Sequence, residues 1–236
     1  MLDTIAPVIF ARGGSKGIPH KNLSLLHGET LLRRSVEQGL RAGFSEVFVS
    51  TDSPEIVEEA RSAGGTLPFL RPAELADDVF PEWLSWQHFC SFLESEHPGL
   101  FSQLLVLPIT APLRAEEDLV SAINLISAGS WDVLVTMTPA HRHPMFNSVR
   151  QNPGGRVELF DTSVRTVARR QDVGPVFDLT TVAYAATINF VLRAQNVWQG
   201  HITGVVVPQE RAIHIDTPFD LELADFLLGR RMYDGI

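Results

Sequence analysis

Five short apolar runs punctuate the chain: PVIF (7–10), VFVST (47–51), LLVLPI (104–109), DVLVTM (132–137) and GVVVP (204–208). Runs of this length and composition predict strands buried in the middle of a sheet. Between them, apolar residues recur at helical spacing near 29–43, 54–63, 82–96 and 115–129. Strands alternating with helices of this length predict an α/β protein with a mostly parallel sheet and helices on both faces. Ser53-Pro54 places a capping hydroxyl before a proline suited to the first helical turn, and Gly43, Gly64 and Gly129 follow helical stretches as stops. From about 139 to 178 the pattern weakens, and NPGG marks a turn between two short strands, predicting a hairpin or an arm inserted in the core domain. A last helix, 218–231, presents Phe219, Leu223, Phe226 and Leu227 as its apolar face.

At 236 residues the chain predicts one domain, 1–236, long enough to bury roughly 70–75% of its unfolded surface. The single cysteine, Cys90, excludes an internal disulfide framework and a cysteine-rich zinc cluster, and its apolar neighbours predict a buried packing role. Acidic residues outnumber basic ones, 28 to 19, for a net charge of −9, which argues against nucleic acid as a partner. The start, MLDTIAPVIFARGG, carries no basic leader with a long apolar core, and no apolar run reaches the length of a membrane span. A cytoplasmic location is the expectation.

Against that acidic background, ARGGSKGIPHKN (11–22) gathers Arg12, Lys16 and Lys21 around Gly13, Gly14 and Gly17, immediately after the first strand. Glycines let backbone N–H groups approach an anion, and the cations add charge, so the loop predicts a polyphosphate cradle. The order Ser15-Lys16-Gly17 does not fit a Walker A loop, and no G-x-G-x-x-G is present.

Other strands also end in polar elbows: Thr51-Asp52-Ser53, Thr110-Ala111-Pro112-Leu113-Arg114 and His214-Ile215-Asp216-Thr217. In a parallel sheet such elbows collect along one edge, where ligands bind. Asp52 and Asp216 each read either as a helix cap or as a ligand-facing carboxylate, and Asp216 could hold Mg²⁺ against phosphates. Arg71 reads either as a ligand contact or as an ion-pair partner of Glu74, Asp77 or Asp78.

The series ARGGSKGIPHKN, STD, RPAELADD, TAPLR, ARRQ and HIDTPFDL resembles, in order and spacing, the acylneuraminate cytidylyltransferases, or CMP-sialic acid synthetases. The resemblance spans about residues 5–230. It implies a Rossmann-like nucleotidyltransferase fold, with a small dimerisation arm, that joins CTP to an α-keto sugar acid and releases pyrophosphate. It further implies that Arg12 and Lys16 lie along the phosphates, Lys21 meets the α-phosphate or the leaving pyrophosphate, and Asp216 holds Mg²⁺. Ala11, Gly13, Gly14, Ser15, Asn22, Asp52, Arg71 and Thr110 would hold the nucleotide. Arg170, Gln171, Tyr184 and Phe146 would face the sugar, and a homodimer would complete the pocket. Four departures concern the acceptor and the metal. Pro108 stands for a glutamine, Phe146 for a lysine, Thr180-Thr181 for Asn-Gly, and His214 for the first of two alternating carboxylates. His214 could ligate a metal, tilting the site toward Mn²⁺, or only pair with Asp216. The acceptor is therefore expected to differ from N-acetylneuraminic acid. Another acceptor such as Kdo, or a non-catalytic nucleotide-binding role, is the alternative.

Overall fold

The computed structural model describes residues 2–14, 17–76, 81–162 and 173–234. The chain enters on β1 (Ile5–Phe10), makes a two-residue-strand hairpin of β2 (Leu25–Leu26) and β3 (Glu29–Thr30), and continues through α1 (Leu31–Arg41), β4 (Phe48–Ser50) and α2 (Pro54–Ser62). Then come α3 (Glu82–Glu96), β5 (Gln103–Val106), α4 (Glu116–Ser127) and β6 (Val133–Pro139). A hairpin of β7 (Val149–Gln151) and β8 (Val157–Leu159) precedes β9 (Phe177–Thr187), α5 (Ile188–Arg193), β10 (Ile202–Val206) and α6 (Pro218–Asp234).

The main sheet runs β10-β6-β9-β5-β1-β4, parallel throughout except for β9, which is antiparallel to both neighbours. In β1 the side chains alternate between two cores. Ile5 and Ile9 join the apolar residues of α1, α2 and α4, whereas Ala6 and Val8 pack under α3 and α5. Helices therefore cover both faces, as the alternation of runs predicts. Pro7 is tolerated in this central strand because β4 pairs only from Val8 onward, and Val8 turns its carbonyl toward β5. The missing N–H of Pro7 thus falls on the side where no ladder has begun.

The predicted caps form: the Ser53 hydroxyl accepts from the Ile56 N–H, and Gly43, Gly64 and Gly129 adopt positive φ after their helices. Cys90 is fully buried in α3, and burial pushes its thiol up to about 12, which removes it as a nucleophile. The NPGG segment closes the β7–β8 hairpin.

Two expectations differ from the structure. The five apolar runs leave out residues 177–187, yet β9 is the longest of the described strands and lies in the sheet interior. In α6 the inward residues are Ala224, Leu221, Leu227 and Leu228, while Phe219 and Phe226 are 70% and 60% exposed. The helix carries apolar residues on two sides, so periodicity alone does not select the buried one.

Strand β9 is interrupted by a bulge. Val135 of β6 pairs with Tyr184, but the next residue, Thr136, pairs with Thr180, so three extra residues bulge from β9. The fully buried Thr136 hydroxyl accepts from the Ala183 N–H at 3.1 Å and the Thr180 hydroxyl at 2.8 Å. This bulge lets Thr181 and Tyr184 line the same cavity, which an unbroken strand would forbid. Thr136→Val keeps the shape and strands these donors. Unfolding in urea is expected to show a loss of about 1–3 kcal/mol.

Candidate active site

A cavity of about 490 Å³ opens at the C-terminal ends of β1 and β5. Its described lining includes Phe10, Arg12, Gly17, Lys21 and Asn22 from the first strand and loop, and Arg71, Leu75, Glu82 and Ser85 from the α3 side. Pro108, Ile109 and Thr110 come from the elbow after β5, Thr181 and Tyr184 from β9, and His214 and Asp216 from the segment before α6. Elbows far apart in sequence thus converge at one sheet edge, as the α/β pattern requires.

The loop after β1 is tied down from two sides. The Asp52 carboxylate accepts the Gly13 N–H at 3.0 Å and pairs with Arg71 at 3.4 Å, and the Asn22 amide donates to the Arg12 carbonyl at 2.9 Å. Ser53, not Asp52, caps α2. Asp52 therefore positions the loop, and the Gly13 amide is already committed to it. Arg71 is buried, also reaches Ser85 at 3.4 Å, and is lowered by that burial while Asp52 opposes the shift. Its partner is Asp52, not Glu74; Asp77 and Asp78 lie outside the described residues. Gly17 approaches the Asp216 backbone so closely that a Cβ would overlap the Asp216 carbonyl.

A chain of polar contacts crosses the cavity floor. The Thr110 hydroxyl lies 3.5 Å from that of Thr181, and Thr181 lies 2.7 Å from His214 Nδ1. His214 Nε2 meets Asp216 Oδ2 at 2.9 Å, and Asp216 Oδ1 accepts from Lys21 Nζ at 2.9 Å. Lys21 also donates to the Ile215 carbonyl at 2.8 Å. The Lys21 hydrogen bond, reinforced by His214 and opposed by desolvation, holds Asp216 below the usual carboxylate range. Asp216 does not cap α6. Thr217 and Asp220 cap it reciprocally, the Asp220 carboxylate accepting the Thr217 N–H at 2.7 Å and the Thr217 hydroxyl accepting the Asp220 N–H at 3.3 Å. That arrangement leaves the Asp216 side chain to the cavity.

The elbow carrying Thr110 is fixed by its carbonyls. Gln38 donates to those of Pro112 and Arg114, Arg231 to that of Leu113, and the Ile215 N–H to that of Thr110. Arg114, fully buried and pulled down to about 9 by that burial, bonds the carbonyls of Ala111 and Pro108.

Several expected site residues stand elsewhere. Ala11 is buried and uses its N–H on the Ser50 carbonyl; Gly14 does not line the cavity. Phe146 packs edge-on against His143 rather than facing the cavity, and Thr180 is buried in the bulge. Ser15, Lys16, Arg170 and Gln171 lie outside the described residues. Glu82 and Ser85 line the cavity although the sequence does not single them out as site residues, and so does Thr181, which the resemblance marks only as a departure.

His214 has both ring nitrogens engaged, Nδ1 with Thr181 and Nε2 with Asp216. Among the described residues no group of three or more His, Cys, Asp or Glu could hold a metal alone. The donor set of Asp216 with substrate phosphate oxygens nonetheless suits Mg²⁺, which is commonly held by one or two carboxylates together with phosphates.

A glycine-rich basic loop at a strand end, with its Lys21 paired to Asp216 at the wall of a polar cavity, is a sheet-edge site suited to anionic ligands. The Cytidylyltransferase family pattern matches residues 6–79. The chain is 30% identical over 232 residues, 98% of its length and 97% of the relative's, to post-translational flagellin modification protein B of Campylobacter coli. It is also 30% identical over 221 residues to the pseudaminic acid cytidylyltransferase of Campylobacter jejuni, covering 93% of this chain and 94% of that one. The solved structure of CMP:2-keto-3-deoxy-manno-octonic acid synthetase complexed with CTP shares the fold, with a TM-score of 0.70 at 17% identity over 96% of this chain and 99% of that one. The chain belongs to the acylneuraminate cytidylyltransferase family. It is a CTP-dependent enzyme that joins CMP to an α-keto sugar acid.

Proposed function

We propose that this enzyme activates a nonulosonic acid other than N-acetylneuraminic acid, of the pseudaminic or legionaminic kind, by transfer of CMP from CTP. The observation that carries this reading is the β9 and β5 wall of the cavity. Pro108 and Thr181 stand there beside Tyr184, at positions where the resemblance has a glutamine and a glycine. A side-chain amide is lost and a hydroxyl gained, so the recognition chemistry of the acceptor changes.

In this reading the sugar hydroxyl attacks the α-phosphorus of CTP in line, a P–O bond forms, and the bond to the leaving pyrophosphate breaks. The protein's contribution is positioning and charge neutralisation. Arg12 and Lys21 face the phosphates, with Lys16 in the same loop. Arg71, with Asn22 and Thr110, holds the nucleotide, and Tyr184 contacts the sugar. Asp216 would hold Mg²⁺ together with phosphate oxygens, and the ion would supply electrophilic activation there. Arg170 and Gln171 would serve the sugar carboxylate.

The β7–β8 hairpin supports a homodimer: Val149, Val157, Leu159 and Phe160 are exposed together, an apolar surface suited to a second copy. Light scattering of a fully active monomer at micromolar concentration would remove that part. Among the described residues no helix is long and apolar enough to cross a membrane, and a cytoplasmic reaction drawing on CTP belongs to this reading.

The test is pyrophosphate release with CTP against pseudaminic acid, a legionaminic acid, N-acetylneuraminic acid, its deaminated analogue and Kdo, with ATP, GTP and UTP as controls. Release with CTP and a pseudaminic or legionaminic acid is expected. Preference for N-acetylneuraminic acid or Kdo would refute the acceptor assignment, and silence without CTP binding would refute the reaction.

A further inference from the structure

The cavity is built for anions, since Arg12, Lys21 and Arg71 line it and both substrates are acids. Among its described lining residues the carboxylates are Asp216, paired with Lys21 and His214, and Glu82. Glu82 is the first residue of α3, and a carboxylate there is favoured by the helix dipole. That explains an acidic residue in the first turn but not its position inside an anion-binding cavity.

The Glu82 side chain is set by a contact to its own helix: Oε1 accepts from Trp86 Nε1 at 3.2 Å. Trp86 in turn stacks on Phe10, with ring centroids 6.4 Å apart, and lies 6.0 Å from Tyr184. Phe10 and Tyr184 both line the cavity. The carboxylate is felt on either side. It supports the Arg71 charge against burial, and it adds to the burial that raises the Tyr184 hydroxyl. Glu82 thus shares the cavity lining with the arginine assigned to the nucleotide and the tyrosine assigned to the sugar, and no described lysine or arginine forms an ion pair with it. A carboxylate so placed opposes two acidic substrates unless one of them offers it a hydrogen-bond donor.

We propose that Glu82 is a substrate-recognition residue whose carboxylate accepts an N–H donor from a bound substrate, either the exocyclic amine of cytosine or an acylamino group of the sugar acid. Both donors have the same chemistry, and a carboxylate accepting from the cytosine amine is a known pairing. UTP presents a carbonyl at that position, and a deaminated sugar acid presents hydroxyls, so each source has a matched analogue lacking the N–H. The proposal rests on the cavity being the site for CTP and the sugar acid.

The experiment compares wild type with Glu82→Gln and Glu82→Ala, measuring KM and kcat for CTP and for pseudaminic acid. It also compares CTP with UTP binding by thermal shift, and pseudaminic acid with deaminated neuraminic acid as acceptors. Glu82→Gln retains an oxygen for Trp86, removes the charge and turns the second oxygen into an N–H donor. If cytosine is the source, the KM for CTP rises about tenfold and the preference for CTP over UTP narrows by the same factor. If the acceptor is the source, the loss falls on the acylamino sugar, with CTP constants held. Either result supports the proposal. Constants within twofold of wild type in both variants overturn it, and so does tighter CTP binding, the signature of relieved repulsion. A wild-type enzyme that binds no CTP refutes the cavity assignment itself, before any variant is compared.

Discussion

Replacing Lys21 by Ala is expected to lower kcat/KM by about 10²–10³, the loss seen when one preorganised donor to a developing charge is removed. Lys21 is the cation whose placement is most fully determined. Its side chain is 13% exposed, and its ammonium is anchored by the Ile215 carbonyl at 2.8 Å and Asp216 at 2.9 Å. Those two anchors hold the charge at the cavity wall before substrate arrives, so little reorganisation is needed when charge builds on the pyrophosphate. Lys21→Met, which keeps the stem and removes the ammonium, separates charge from packing. Steady-state kinetics should show a fall in kcat in both variants, with a smaller rise in the KM for CTP because Arg12 and Arg71 remain. Circular dichroism should show an unchanged fold. Turnover within threefold of wild type would remove Lys21 from the chemistry.

The parts of this site that are local in sequence are legible there, and those that depend on long-range contacts are not. The glycines and cations of 11–22 announce a phosphate loop because the residue types and spacing carry the chemistry themselves. Lys21 and Asp216 are each legible as candidates, but their pairing spans 195 positions and requires the sheet to be assembled. Asp52 shows the same limit. Its position after a strand suggests a cap or a ligand, whereas its observed work is to accept the Gly13 N–H and hold Arg71, residues from two other loops.

The fold divides in a similar way. Parallel strands covered on both faces read as short apolar runs, and their helices read by period and caps. Strand β9 does not, because a bulge held by Thr136 breaks its alternation and its N-terminal half is partly exposed. That one missed strand contributes Thr181 and Tyr184 to the cavity wall. The same bulge explains why Thr180 and Thr181, adjacent and chemically identical, have different fates: Thr180 is buried against Thr136, and Thr181 joins His214 in the cavity.

Asp216→Asn is expected to cost about a hundredfold in kcat/KM at fixed Mg²⁺, and the metal concentration giving half-maximal activity should rise. The amide preserves shape and still offers Lys21 an oxygen, so the variant reports on the negative charge. With His214 occupied on both nitrogens, Asp216 is the carboxylate in this polar chain able to meet a magnesium ion carried in on the triphosphate. It follows that metal affinity should be low without CTP and should appear with it, which titration calorimetry can measure directly. His214→Asp supplies the complementary test. A second carboxylate adjoining the first is expected to lower the half-maximal Mg²⁺ concentration and to reduce any preference for Mn²⁺, because oxygen replaces the softer imidazole. Equal metal-activation curves for wild type and Asp216→Asn would show instead that the carboxylate serves to orient Lys21, and the metal assignment would fall.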